Sequence, residues 1–244
     1  KEAINKINPK VPPEAKEEAL KKVLNIPLSS QSIVVANKNF HKMLTDGVDV
    51  EYRRQDGSIA GDKVQLIDKS NWDNNDWLVV NQFTIIENKR NRRPDIIIFI
   101  NGLPLAVMEL KNPAAEKATV KQAFHQLQTY KQDVPSLFAY NSLMIISDGL
   151  EAKVGSVSAN YEWFMRWRTI DGFTLAPNSI PQLEVLVKGL FSRIGLLDMI
   201  TNFIVFETDK DKISRKIAGY HQYHATRKAV EKTLLASAMG GDQR

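Results

Sequence analysis

The most constraining feature of this chain is a pair of apolar runs separated by the dipeptide Asn101-Gly102. The first run covers residues 96–100 and the second covers residues 105–110. Short runs rich in branched residues and divided by Asn-Gly predict a β-hairpin with strands buried in a core. Three ionisable groups nevertheless lie at the ends of these strands remote from the turn, namely Asp95, Glu109 and Lys111. Burying them is costly unless they pair with one another or bind an ion.

The register of the two strands decides whether the three groups lie on the same face of the hairpin and can act together. Side chains alternate along a strand, so Glu109 and Lys111 share one face. Asp95 joins that face only if it is paired with Glu109. A two-residue turn at Asn101-Gly102 without a bulge would instead pair Asp95 with Met108. We therefore predict a three-residue connection, or a bulge that restores the parity, despite the Asn-Gly signal for a tight turn.

Two carboxylates on one face repel each other, and each raises the pKa of the other. A hard divalent cation relieves the repulsion, and Mg²⁺ typically uses few carboxylates, several waters and a phosphate oxygen of the substrate. The backbone carbonyl of Leu110 is a candidate third ligand beside Asp95 and Glu109. Lys111 would orient or help to deprotonate an attacking water. The alternative is a structural salt bridge from Asp95 or Glu109 to Lys111, which the spacing alone leaves open.

The composition limits the class of protein. The chain has 244 residues, of which 43% are hydrophobic, so one large or two modest domains are possible. It contains no cysteine, which excludes disulfides and thiolate metal sites and favours a reducing compartment. No run approaches the roughly 18 apolar residues of a membrane span, and residues 1–4 lack the apolar core of a signal peptide. We expect a cytoplasmic protein with no membrane partner.

The formal net charge of +5 is mildly basic, which suits a polyanionic partner but does not require one. The basic residues Lys89, Arg90, Arg92 and Arg93 run directly into Pro94-Asp95. This cluster is either a solvated loop or an edge that grips phosphates beside the acidic groups.

Periodicity predicts an α/β protein with a mixed β-sheet core flanked by helices and followed by a helical C-terminal segment. We expect one domain over residues 1–175 and a helical linker to a further domain over residues 176–244, with the boundary near Asp171-Gly172. A helix should begin at Asn112-Pro113, after the central hairpin. Helices are also predicted at 12–24, 32–44, 181–191, 196–203 and 214–238, and strands at 48–54, 64–67, 77–86, 143–147 and 152–157.

Gln126 and Tyr130 are four residues apart, so they share one face of the helix that follows the hairpin. Taken alone, the pair is an ordinary polar flank. Beside a centre that cleaves phosphodiesters, it could instead contact a phosphate or a base.

The residues of the hairpin resemble the PD-(D/E)xK nuclease motif, with Pro94-Asp95 followed by Glu109-Leu110-Lys111. The surrounding segments resemble the N-terminal nuclease domain of the restriction (R) subunit of type I restriction-modification enzymes. They are Asn91 to Asp95, Asn101 to Leu105, Glu109 to Pro113, Gln126 to Tyr130 and Ile146 to Gly149.

The resemblance implies a restriction-endonuclease-like fold that hydrolyses DNA phosphodiester bonds with Mg²⁺. Asp95 and Glu109 would bind the metal, Lys111 would assist the water, and the Gln-x-x-x-Tyr element would be functional. The expected partners are double-stranded DNA and the methylase and specificity subunits of an ATP-driven complex. Related nucleases often carry a further acid on an earlier helix, for which Asp46, Asp49 and Glu51 are candidates. The alternative, which we favour for each of them, is an ordinary surface residue.

The segment around Gln222 is similar to the region that precedes the helicase-like motor of R subunits, where a glutamine reads adenine. The alternative is a plain amphipathic helix. The chain contains no Gly-x-x-x-x-Gly-Lys-Ser/Thr phosphate loop, which we expect to follow residue 244. ATP is therefore expected to serve the full-length subunit and not to be hydrolysed by residues 1–244.

Two other functions remain open at this stage. A related nuclease of repair or recombination would keep the chemistry, although the Gln126/Tyr130 spacing and the motor-like tail argue against it. A non-catalytic DNA-docking or coupling module would keep only the fold, although the intact Asp95, Glu109 and Lys111 set argues against that.

Overall fold

A computed structural model describes residues 1–28, 32–54, 56–112 and 119–238. The helices are α1 (Glu2–Ile7), α2 (Pro13–Leu24), α3 (Ile33–Asp46), α4 (Val120–Asp133), α5 (Pro135–Tyr140), α6 (Gln182–Leu190), α7 (Arg193–Asn202) and α8 (Tyr220–Ser237). The strands are β1 (Val48–Arg53), β2 (Ile59–Val64), β3 (Trp77–Asn81), β4 (Ile85–Glu87), β5 (Arg90–Arg92), β6 (Ile96–Ile100), β7 (Leu103–Leu110), β8 (Leu143–Ser147), β9 (Ala152–Gly155), β10 (Ile204–Asp209) and β11 (Lys212–Ile217). Single 3-10 turns cover Trp72–Asn74 and Tyr161–Trp163.

The centre of the molecule is a five-stranded sheet in the order β3-β6-β7-β8-β9. Adjacent strands in this sheet are antiparallel, except for β7 and β8, which run parallel. A parallel pair needs a long crossover, and α4 and α5 lie in that connection. The predicted α/β class with a mixed sheet and flanking helices is confirmed.

The alternation of side chains along the strands sorts the core into two layers. Ile97 and Val107 face α4, whose Ala123 and Leu127 are fully buried against that side of the sheet. Ile98 points to the opposite layer, which contains α2 and α3. Because side chains two residues apart share a face, Asp95 follows Ile97 and Glu109 follows Val107 onto the side of α4.

The hairpin between β6 and β7 contains both a tight turn and a bulge. Ile100 pairs with Leu103 across Asn101-Gly102, which have φ values of +53° and +78°. The register then shifts between Ile98 and Phe99, and the extra residue is Leu105. Beyond the bulge Ile96 pairs with Met108, so the next position places Asp95 opposite Glu109. The predicted bulge is confirmed, and it allows a two-residue turn to coexist with carboxylates on one face.

Two predicted strands have other bounds in the structure. The strand predicted at 77–86 is divided into β3 and β4, because Gln82 adopts a left-handed φ of +55°. The strand predicted at 64–67 ends at Val64, as the last residue of β2. The helix expected at Asn112-Pro113 begins at Val120, where Thr119 accepts a hydrogen bond from the backbone N–H of Gln122 at 3.2 Å. Pro113 lies outside the described residues.

The helix predicted from Ser214 was wrong in its first turns, because residues 204–217 form the antiparallel hairpin β10-β11. The chain reverses at Lys210, which has a φ of +52° and no Asn-Gly signal beside it. Arg215 anchors the hairpin: it is only 2% exposed, and its Nη1 donates to the carbonyl of Asn141 at 2.6 Å and to the side chain of Asn37. The β10-β11 hairpin therefore packs against α3 and against Asn141, the residue that follows α5.

None of the helices in the described ranges is both long and apolar enough to cross a membrane.

We expect Gly102→Ala to lower the free energy of unfolding by about 1 kcal/mol, because a side chain in the left-handed region is strained there. No atom of the described residues lies within 4 Å of the added methyl group, so the effect is conformational and not steric. Gly61→Ala is the matched control, since this strand glycine lacks a positive φ and has only a backbone oxygen at 4.0 Å. Urea unfolding measures both variants, and equal effects at the two positions would contradict the prediction.

Candidate active site

Asp95 lies immediately before β6, and both of its carboxylate oxygens accept hydrogen bonds. Oδ2 accepts from the backbone N–H of Leu110 at 2.8 Å. Oδ1 accepts from Nε2 of Gln82 at 2.7 Å. The first bond crosses the hairpin and joins the two ends that carry the acidic groups. The sequence-predicted metal ligand Leu110 therefore contributes its amide to Asp95, and its carbonyl remains a predicted ligand.

Glu109 lies at the C-terminal end of β7 and is 1% exposed. Its Oε1 accepts from Lys111 Nζ at 2.9 Å, whereas its buried Oε2 has no hydrogen-bond partner among the described residues. Burial raises the pKa of Glu109 to about 7, with the neighbouring charge of Asp95 adding to the rise and the hydrogen bond from Lys111 opposing it. The ionised form of this buried carboxyl group is therefore only partly stabilised by its hydrogen bonds.

Lys111 completes the central cluster. Its Nζ donates to Glu109 and to Oε1 of Gln126, and its side chain is 21% exposed. Its backbone N–H donates to the carbonyl of Ser147 at 2.8 Å, which continues the parallel pairing with β8. The salt bridge considered as the structural alternative thus exists between Glu109 and Lys111. It leaves Oε2 of Glu109 without a partner and does not include Asp95.

Gln126 and Tyr130 lie on the face of α4 that covers these groups. Nε2 of Gln126 donates to the hydroxyl of Tyr130, and Oε1 of Gln126 accepts from Lys111. A hydrogen-bonded chain therefore runs from the helix to Lys111 and on to Glu109. The structure brings the predicted helix pair together with the predicted strand residues, because both are on the same side of the sheet.

The two predicted phosphate-contacting arginines have different surroundings. Arg92 donates through Nε to Asp133 at 2.7 Å, and Nη2 lies 2.6 Å from the same carboxylate. Arg93 is exposed, and its Nε donates to Oε1 of Gln82 at 2.9 Å. Both line an open cleft of about 440 Å³ beside the cluster, together with Asn91, His125, Gln126, Thr129 and Tyr130. Arg93 is thus the arginine with more freedom to meet a ligand in this cleft.

The residues present fit a hard divalent cation. Asp95 and Glu109 offer carboxylate oxygens on one face, and the unpartnered Oε2 of Glu109 is a buried acceptor that a cation would satisfy. Among the described residues no group of three or more His, Asp or Glu side chains is arranged to hold a metal. Mg²⁺ does not require one, since it usually combines one or two carboxylates with waters and substrate phosphate oxygens.

The weak candidates for a further acid do not join this cluster. Asp46, Asp49 and Glu51 are exposed, and Asp49 pairs with Lys63 at 3.3 Å across the β1-β2 hairpin. Gln222 also has a local role: its Oε1 accepts from the backbone N–H of Gly219 at 2.9 Å and caps the start of α8. This bond is compatible with the plain-helix interpretation and leaves the adenine-reading role a prediction.

Gln82 and His125 lie at the site but were not predicted from the sequence. Gln82 was placed inside a continuous strand, and no pattern indicated that its backbone would turn and aim its amide at Asp95. His125 precedes Gln126 on α4 and is exposed at the cleft. In the sequence, the only indication of a role for His125 was its position next to Gln126.

A family model described as the type I restriction enzyme R protein N terminus matches residues 1–163. The chain belongs to this family. The type I restriction enzyme HindI endonuclease subunit of Haemophilus influenzae is 42% identical over 248 residues, which cover 100% of this chain and 23% of that protein. The putative type I restriction enzyme MjaIXP endonuclease subunit of Methanocaldococcus jannaschii is 34% identical over 257 residues, covering 98% of this chain and 24% of that protein.

This R protein N-terminal chain therefore spans about a quarter of the length of these curated relatives. The matched region contains every residue of the cluster described above and ends before Gln222. The predicted family is confirmed.

We expect Glu109→Gln to abolish a pH-dependent loss of stability in metal-free buffer. The pKa of Glu109 is about 7 in the folded state and 4.5 ordinarily, so the folded protein keeps a proton that the unfolded chain releases. Stability is therefore lost as the pH rises from 4.5 to about 7. The loss is on the order of 3 kcal/mol, and urea unfolding at a series of pH values measures it.

The quantity to compare is the difference between the wild-type and variant profiles, because His41 contributes an opposite slope to both. Burial lowers the pKa of His41 to about 3, so its contribution to stability is lost as the pH falls below its ordinary value of 6.5. Glu184→Gln, at an exposed residue paired with Lys188, should retain the wild-type slope. A pH-independent difference for Glu109→Gln would contradict the prediction.

Proposed function

We propose that this chain is the Mg²⁺-dependent endonuclease part of a type I restriction enzyme R subunit and that it hydrolyses DNA phosphodiester bonds. The observation that carries the proposal is the convergence of Asp95, Glu109 and Lys111 on one face of β6 and β7. The endonuclease names of the relatives support it. The partly unsatisfied Glu109 supports the metal requirement, since a cation would relieve its burial.

When bound, Mg²⁺ would polarise the scissile phosphate and acidify a coordinated water. Asp95 and Glu109 would hold it, with the carbonyl of Leu110 as a third protein ligand. Lys111 would orient the attacking water and stabilise the charge that develops on the phosphate. Water oxygen forms the new bond to phosphorus, one bridging P–O ester bond breaks, and the leaving oxygen takes up a proton. Gln126 would keep Lys111 aligned through its existing hydrogen bond.

The cleft beside the cluster would hold the DNA backbone. Arg93 is exposed there and can present its positive charge to phosphates, whereas Arg92 would contact them while it is paired with Asp133. His125, Thr129 and Asn91 add polar groups along the same wall. Contacts of this kind position DNA without reading its sequence. We therefore assign recognition of the DNA sequence to other subunits of the complex.

The larger setting is part of the same proposal. The full-length subunit would work with methylase and specificity subunits in the cytoplasm, within a complex that translocates DNA with ATP. Residues 1–175 would be the nuclease domain and residues 176–244 would lead into the motor. Gln222 would read adenine at the entrance to that motor, although the ATP-hydrolysing loop is absent from these residues.

A related repair nuclease would use the same cluster, and a docking module would use only the cleft. The type I names of relatives matched over at least 98% of this chain favour restriction over repair. The buried, partly unsatisfied Glu109 favours catalysis over docking, because a docking surface has no need for an acid in this position.

Alanine at Asp95, Glu109 or Lys111 should reduce plasmid nicking by at least about 1,000-fold, a loss of roughly 4 kcal/mol of transition-state stabilisation. Nicking of supercoiled DNA in Mg²⁺, with the full-length subunit in its complex, measures the effect. Circular dichroism should remain unchanged. Asp198→Ala, far along the chain in α7, is the acidic control. Wild-type nicking that survives without divalent cations would contradict the metal requirement.

Arg93→Ala should weaken DNA binding for all sequences alike and lower the slope of log affinity against log salt by about 1, because one phosphate contact is removed. Fluorescence anisotropy with a duplex, at several salt concentrations and without Mg²⁺, measures both quantities. Arg193→Ala is the control, since that arginine pairs with Asp73 and lies over Trp72 outside the cleft. Equal slopes for wild type and Arg93→Ala would exclude a phosphate contact at Arg93.

A further inference from the structure

We propose that Gln82 is a positioning residue that orients Asp95 for the divalent cation and connects it to Arg93. The inference rests on the proposed Mg²⁺-dependent function and extends it to a residue outside the PD-(D/E)xK motif. Its basis is a relay of two hydrogen bonds. Arg93 Nε donates to Gln82 Oε1 at 2.9 Å, and Gln82 Nε2 donates to Asp95 Oδ1 at 2.7 Å.

The orientation of the Gln82 amide follows from its partners. Arginine nitrogens only donate, so the amide oxygen must face Arg93 and the amide nitrogen must face Asp95. The amide nitrogen is therefore the donor, and the carboxylate oxygen of Asp95 is the acceptor. Arg93 thus helps to hold the donor in place although it does not touch Asp95 in this relay.

The two oxygens of Asp95 are held by independent donors. Gln82 bonds Oδ1, and the backbone N–H of Leu110 bonds Oδ2 at 2.8 Å. Each carboxylate oxygen has two acceptor sites, so a second site on each remains for a cation. Together the donors fix the plane of the carboxylate. Outer hydrogen bonds of this kind orient metal ligands, and losing one commonly weakens metal affinity about 10- to 100-fold.

The backbone of Gln82 shows that this arrangement has a conformational cost. Its φ of +55° lies in the left-handed region, which is sterically unfavourable for a residue with a side chain. Its N–H donates to the carbonyl of Asp95 at 2.9 Å directly after β3 ends. Gln82 is therefore attached to Asp95 by both its backbone and its side chain. The turn ends the strand at the point where the amide can reach the carboxylate.

The same amide connects the cleft to the acidic cluster. Arg93 lines the cleft proposed for the DNA backbone, and Asp95 is a proposed metal ligand. Only the side chain of Gln82 would therefore separate the arginine that binds a phosphate from the carboxylate that holds the cation. Metal affinity is the quantity most directly controlled by Gln82, because its donor touches Asp95 itself.

Isothermal titration calorimetry tests the proposal. Mn²⁺ is titrated into the chain in the absence of DNA and nucleotide. Gln82→Gly removes the amide and accommodates the left-handed backbone, and Gln82→Asn tolerates that backbone but is one methylene too short. We expect both variants to raise the Kd for Mn²⁺ about 10-fold. We also expect the Mg²⁺ concentration for half-maximal nicking by the assembled enzyme to rise by a similar factor, with the rate at saturating Mg²⁺ within a few-fold of wild type.

Two controls separate positioning from a structural role. Gln132→Ala removes an exposed glutamine of α4 and should leave the Kd unchanged. Unfolding in metal-free buffer should differ little between Gln82→Gly and wild type, whereas a purely structural role would lower stability and leave the Kd unaltered. Asp95→Ala defines the titration signal that belongs to this site.

The outcomes are distinguishable. If Asp95→Ala loses Mn²⁺ binding while both Gln82 variants keep the wild-type Kd within two-fold, the role of Gln82 is overturned and the proposed function stands. If wild type and Asp95→Ala bind Mn²⁺ equally, the metal site itself fails, and the role of Gln82 fails with it.

Discussion

The pairing of β6 with β7 is the constraint on which the candidate site depends. A tight turn at Asn101-Gly102 would by itself send Asp95 and Glu109 to opposite faces of the sheet. The extra residue at Leu105 shifts the register once and returns both carboxylates to one face. Leu105 is fully buried, so the bulge is held by the core and not by the turn alone. The hydrogen bond from the Leu110 amide to Asp95 then closes the far end of the hairpin.

The electrostatics of that face explain why the protein places charged groups against its core. Glu109 sits beside another acid and is almost completely buried, and within the described part of the chain only one of its oxygens has a hydrogen-bond partner. A chain folded only for stability would have an apolar residue at this position, as it has at Val107 two residues earlier. This unfavourable environment is what we propose a bound cation relieves, by supplying the missing partner of Glu109.

The helix and the sheet edge supply the remaining groups from opposite directions. The β7-to-β8 crossover lays α4 over the acidic face, which brings Gln126 to Lys111. The end of β3 brings Gln82 to Asp95 from the other side. Between these elements the arginine-lined cleft opens toward solvent. The site is thus assembled from separate segments of the chain between Gln82 and Tyr130, and each depends on the register of the central hairpin.

The sequence by itself determined the local features of this protein. Apolar alternation and the Asn-Gly signal located the hairpin, and the requirement for parity led to the bulge. Spacing of four residues put Gln126 and Tyr130 on one helix face, and the motif residues led to the family. These inferences succeed because they depend on neighbouring residues and on fixed repeats of strands and helices.

Only the tertiary structure decided the contacts between distant segments. It revealed the β10-β11 hairpin with Arg215 buried against Asn37 of α3 and against Asn141, where the sequence had favoured a helix. It also placed Asp133 against Arg92 and Gln82 against Asp95, and it set the depth of Glu109 that raises its pKa. Periodicity tells which face a side chain occupies. What covers that face, and therefore its polarity and its partners, depends on packing between elements that no local pattern encodes.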